Sequence, residues 1–136
     1  PKTFTRVMKE VVIPALEYPV KSETNASMTW MVRLNSIGGD VAAAIDLGRQ
    51  IRGIEMLVAV DSGSSCLSAC VFVFAGGTSR IALGRIGVHR PFQNTPPSEI
   101  NIQTISAANE VALKTILSYF REVNVSERLA DVMMST

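Results

Sequence analysis

Apolar positions along the chain alternate between two spacings. Residues 29–34 (TWMVRL) are rich in β-forming side chains and predict a strand. Asn35-Ser36-Ile37-Gly38-Gly39 follows as a turn, with Asp40 placed to cap the next helix. Residues 41–52 carry Ala44, Ile45, Gly48 and Ile51 at helical spacing. Residues 56–60 (MLVAV) predict a second strand, and 61–65 a polar loop containing Gly63. Residues 67–74 predict a short apolar helix, stopped by Gly76-Gly77. Residues 80–83 and 86–89 predict two short strands separated by Gly84. Residues 90–98 (RPFQNTPPS) form a proline-rich loop. Ser98 caps a long helix to about Val123, with Ile105, Ala108, Ala112, Ile116, Tyr119 and Val123 on one stripe. A last helix begins near Ser126. Strand and helix in alternation predict an α/β fold, a mostly parallel sheet with packed helices. Residues 1–28 mix short apolar patches with a polar stretch at 21–27 and predict no definite element. Asn25-Ala26-Ser27 matches a glycosylation acceptor, a triplet common by chance and relevant only to a secreted eukaryotic protein.

Composition narrows the function classes. The 136 residues fit one domain, 1–136, and 47% hydrophobic content fills a core and excludes disorder. A net charge of +1 without a clustered basic face excludes a nucleic-acid binder. The longest apolar run, residues 69–75, is far short of the roughly 20 residues a membrane span needs. The chain starts at Pro1 without a signal peptide, which points to a processed or trimmed product, shortened at one or both ends. Two cysteines and one histidine are too few for a metal site, so no metal and no cofactor is expected. At helical spacing Cys66 and Cys70 share a face. They read equally as a disulfide, if Cys66 sits just outside the helix, or as two small buried apolar residues.

Three features could carry chemistry. His89, the single histidine, closes a strand ahead of Arg90-Pro91, which forces an extended exit. Ends of strands are where α/β sites are built, although a lone histidine is more often structural. Ser68 is a polar residue at the start of an apolar helix, where free N–H groups favour a developing anion. It reads as a nucleophile or as a serine bonded back to the preceding turn. Gly38-Gly39 lets the backbone bend tightly and be approached closely, as an oxyanion donor or as a plain strand-to-helix turn. No Gly-Lys-Ser/Thr follows to make a phosphate loop, and no serine lies in a Gly-x-Ser-x-Gly elbow.

In order, Leu34-Asn35-Ser36-Ile37-Gly38-Gly39, Ser68-Ala69, Ala75-Gly76-Gly77 and Gly87-Val88-His89-Arg90-Pro91 resemble the successive motifs of the Clp protease proteolytic subunit. The Cys66-x-Ser68-Ala69-Cys70 form is similar to the exported, Clp-like serine protease homologues of bacteria. The resemblance covers about residues 29–125. It implies the Clp protease/crotonase spiral of ββα units and a serine endopeptidase. Ser68 would be the nucleophile and His89 the base. The N–H groups of Gly38 and Ala69 would form the oxyanion hole, and Gly39, Asp40 and Val41 would pair with an extended peptide or protein substrate. It also implies a homo-oligomer and an exported or periplasmic location, where an ATPase partner is not expected.

The chain departs from the family pattern in two ways. The Ser68-to-His89 interval is a few residues shorter than in the Clp subunit. The family's triad acid follows the short helix after the long one, and here Asp131, inside the terminal helix, is the nearest candidate. The alternatives are an acid beyond Thr136 or none. Competing functions are a catalytically weak or inactive Clp-like interaction and assembly module, and an acyl-CoA-binding crotonase-type enzyme that uses the two N–H groups without a Ser-His pair. A cysteine hydrolase through Cys66 or Cys70 is disfavoured, because apolar surroundings raise a thiol pKa.

Overall fold

The computed structural model describes residues 30–91 and 102–136. The sequence-based readings for residues 1–28, the glycosylation triplet and the Ser98 cap lie outside them. The described residues belong to two compact units that divide between Val88 and His89. The first contains β1 (Met31–Arg33), α1 (Val41–Gly53), β2 (Leu57–Val60), β3 (Ser65–Leu67), α2 (Cys70–Gly76), β4 (Ser79–Ala82) and β5 (Arg85–Gly87). The second contains α3 (Ile102–Glu122) and α4 (Arg128–Ser135).

Helix and parallel strand are mixed as the alternating pattern predicts, but the strands divide between two sheets. β2 is central in one, flanked by β1 (Val32 opposite Val58) and β4 (Val58 opposite Arg80). β3 is central in the other, paired with β5 (Cys66 opposite Ile86) and bridged on its other side by Ser36. The chain therefore makes three passes, β1 to Ser36, β2 to β3 and β4 to β5, each leaving the first sheet for the second. The bends between them are hydrogen-bonded in place. Ser65 N–H donates to Asn35 Oδ1 (3.1 Å) and Ser36 N–H to the Ser65 carbonyl (2.7 Å). Gly84 is a required glycine, since a Cβ there would meet the carbonyl oxygens of Asp61 and Ser64.

Asp40 caps α1 as its sequence position predicts: its backbone is extended and its carboxylate accepts from Ala43 N–H at 2.7 Å. Ala44, Ile45, Gly48 and Ile51 all face the core, joined by Leu47. α1 meets α2 backbone to backbone, because Gly76 lies directly against the carbonyl of Gly48. The expected helix over 67–74 is displaced. Residues 65–67 are strand, with hydrogen-bonding neighbours on both sides, and helix begins only at Cys70. An apolar run this short fits either state, and the ladder on both flanks decides for strand.

In the second unit α3 buries Ile116, Tyr119 and Phe120, and Val123, just past its end, is buried too, while Ala108 and Ala112 higher on the stripe are half-buried. The chain reverses at Asn124 (φ +57°), where Val125 N–H donates to the Phe120 carbonyl at 2.8 Å. α4 starts at Arg128 and buries Ala130 and Met133. A two-pronged hydrogen bond from Arg121 to Glu127 (2.6 and 3.2 Å) holds the Glu127 carboxyl below the ordinary carboxylate range and raises the Arg121 guanidinium. Among the described residues no helix is long and apolar enough to cross a membrane.

Candidate active site

β3 delivers the chain to Ser68, and α2 takes it away at Cys70. Such an abrupt exchange of strand for helix needs an unusual backbone, and Ser68 supplies it with φ of +56°. A non-glycine residue in this left-handed region is held there by its surroundings. Here Ser68 N–H donates to the Gly87 carbonyl (2.8 Å), and the Ser68 carbonyl accepts from Val71 N–H (3.0 Å). The serine is half-buried.

Gly38 presses on the same corner. A Cβ on it would lie 2.6 Å from the Leu67 carbonyl oxygen, 2.7 Å from Ser68 Cβ and 2.9 Å from Ala69 N. Its φ of +99° is also one that only glycine adopts freely. The two N–H groups in question differ in state. That of Ala69 has no acceptor among the described residues. That of Gly38 donates to Ser36 Oγ at 3.1 Å. Beside these residues lies a small, mostly apolar niche lined by Leu34, Ser36, Gly38, Ala44, Ala69 and Val73 among others, with about 10 Å³ open to the centre of a water-sized sphere. That is about the space one water occupies.

Gly39 and Asp40 are exposed, and Asp40 has extended backbone, whereas Val41 is already the first residue of α1. The sequence does not reveal the part played by Ser36, although it stands inside the Asn35–Gly39 turn. Its hydroxyl is two residues from the glycine whose N–H it accepts, a spacing common to serine-containing turns.

His89 opens the second unit and is half-buried, with Nδ1 2.8 Å from the Arg90 carbonyl oxygen. Arg90 donates from Nε (3.0 Å) and Nη2 (2.5 Å) to the carbonyl of Met134 at the end of α4. A cation is well placed among the orphan carbonyls of a helix end. Asp131, in the first turn of α4, is exposed and forms no hydrogen bond or ion pair among the described residues. Ser68, Ala69 and Gly38 thus share one unit, and His89 and Asp131 the other.

Cys66 and Cys70 are joined, with Cα atoms 5.3 Å apart. Of the two readings their spacing allows, the structure takes the disulfide, possible because Cys66 lies in β3 and outside the helix. Neither sulfur is left as a thiolate, so the cysteine-hydrolase reading falls. No three His, Cys, Asp or Glu among the described residues cluster as metal ligands. Compared with models of known families, with curated proteins and with solved structures, the chain matches none.

Proposed function

We propose that the chain is a serine hydrolase of the Clp-protease type, acting on peptides. The observation that carries this reading is the left-handed corner at Ser68, with Gly38 against it and the unclaimed N–H of Ala69 beside it. A strained strand-to-helix turn that exposes a hydroxyl next to backbone donors is how serine nucleophiles are presented in other hydrolases. The three passes, each running from the first sheet to the second (the first by a single bridge at Ser36) and each followed by a helix, are read as turns of the ββα spiral of the Clp protease/crotonase fold. A disulfide beside the nucleophile suits an oxidising, exported location.

In this mechanism Ser68 Oγ attacks the scissile carbonyl carbon while His89 takes its proton. The carbonyl oxygen gains charge and accepts from Ala69 N–H and Gly38 N–H. Ser36 Oγ gives up the Gly38 donor as the oxyanion arrives. His89 then protonates the leaving amine, and water, activated by the same imidazole, releases the acyl group from Ser68. β5 supports this assignment: Gly87 accepts from Ser68 N–H, and His89 follows two residues later in the chain.

Labelling by a fluorophosphonate probe tests the reading. The wild-type chain is expected to react at one serine, Ser68→Ala to abolish the reaction, and His89→Ala to slow it by about 10² or more. Equal labelling of wild type and Ser68→Ala overturns the nucleophile. Asp131→Asn assigns the acid: if Asp131 serves, peptide turnover falls by about 10⁴, as for the equivalent change in a serine protease. An unchanged rate removes Asp131 from the site.

A further inference from the structure

Ser68 is the middle residue of the five-residue segment that the Cys66–Cys70 bridge closes. Each end of the bridge is anchored differently. Cys66 is the centre of β3, opposite Ile86 on one side and bridged to Ser36 on the other. Cys70 is the first residue of α2, which spans only seven residues and whose N-cap, Ala69, offers no side-chain hydrogen bond. The covalent link therefore stands where a capping side chain would otherwise fix the start of this helix. It ties the turn presenting Ala69 N–H to the strand that delivers Ser68.

We infer that the Cys66–Cys70 bridge is a positioning element for the reaction, resting on the serine-hydrolase reading above. It holds the left-handed backbone of Ser68 and keeps the Ala69 N–H in its place beside Gly38. A serine at φ +56° relaxes to an ordinary conformation once its neighbours allow it. Without the bridge the backbone hydrogen bonds from Ser68 to Gly87, from Val71 to Ser68 and from Phe72 to Ala69 remain. None of them ties Cys66 of β3 to the first residue of α2, as the bridge does. The bridge is a fixed clamp and not a readily operated switch, because Cys66 is fully buried and Cys70 is 4% exposed. A thiol must reach a sulfur to exchange with it, and these are sheltered.

The test compares the oxidised wild type with Cys66→Ser/Cys70→Ser and Cys66→Ala/Cys70→Ala. Fluorophosphonate inactivation is followed over a range of probe concentrations, which separates the maximal rate from reversible probe affinity. Circular dichroism and urea midpoints report the fold. The expected result is a maximal rate lower by about 10² in both bridge-free variants, the loss typical of displacing a reacting group by about 1 Å, with affinity little changed and the fold native. Wild type reduced with dithiothreitol in urea, where the sulfurs are accessible, and then refolded should fall to the same rate and recover on reoxidation, while the variants ignore both treatments. A folded bridge-free chain that labels at the wild-type rate overturns the positioning role and leaves the serine hydrolase standing. Oxidised wild type that does not label overturns the hydrolase reading and this inference with it. If both variants and the reduced wild type unfold outright, the positioning role is also overturned, because the bridge is then a staple of the whole fold.

Discussion

Gly38 and Ser68 form a pair in which each explains the other. Ser68 adopts a backbone that costs about 1–3 kcal/mol for a non-glycine residue, and Gly38 approaches closer to it than any side chain permits. Gly38→Ala is therefore expected to act at the corner. Its Cβ would displace the Leu67 carbonyl and the Ala69 N–H, and peptide turnover should fall by about 10² or more, the usual cost of one oxyanion donor. Circular dichroism must show a native fold, and a folded variant with normal turnover contradicts the donor role. At this scale the sequence is legible where residue type and geometry agree. A glycine pair after a strand announces a bend, and Gly38 makes one. Serine carries no comparable signal for left-handed backbone, so the conformation of Ser68 is invisible until β3 and α2 are seen to meet there. The bond from Gly38 N–H to Ser36 Oγ is hidden for the same reason: a hydroxyl's partner depends on how the turn closes.

Among the elements, α1 is the most legible. Its cap and its stripe follow from local chemistry, and Asp40, Ala44, Ile45, Gly48 and Ile51 stand where their spacing puts them. β3 is the least legible. Its three residues, Ser65-Cys66-Leu67, straddle the expected polar loop and the expected helix and carry no strand pattern of their own, and only pairing with distant β5 and Ser36 selects strand. Cys66 and Cys70 offered the one local hint, since a bridge between them requires Cys66 to leave the helix. The packing of α1 on α2 gives a prediction at this scale. Gly76→Ala forces a methyl group into the Gly48 backbone and should destabilise the fold by about 1–3 kcal/mol, the cost of overpacking a close contact. Gly53→Ala, at a helical position with nothing within 4 Å, should be neutral or stabilising. Urea midpoints at unchanged slope measure both, and equal midpoints for the two variants would refute a close Gly48–Gly76 contact.

Over the described residues, alternation of strand and helix reads correctly as an α/β arrangement with parallel strands, while the division into two sheets does not show in the pattern. It comes from bends at Asn35, at 61–64 and at Gly84, where a polar side chain or a glycine serves as readily in an ordinary loop. The three passes also fix an order of events in time. Among the described residues every β pairing joins consecutive passes, the first with the second and the second with the third. Neither sheet can begin without the middle pass, since β2 lies between β1 and β4, and β3 is the strand that β5 and the Ser36 bridge both join. The rate-limiting barrier to folding should then contain β2 already docked, with β4 added afterwards. Val58→Ala, at the fully buried centre of β2, is expected to slow refolding in stopped-flow measurements. Ile81→Ala, on the exposed strand β4, should leave refolding nearly unchanged and accelerate unfolding instead. The reverse assignment of rates would mean that assembly starts from the last pass, and the central strands would then be the product of the nucleus and not its seed.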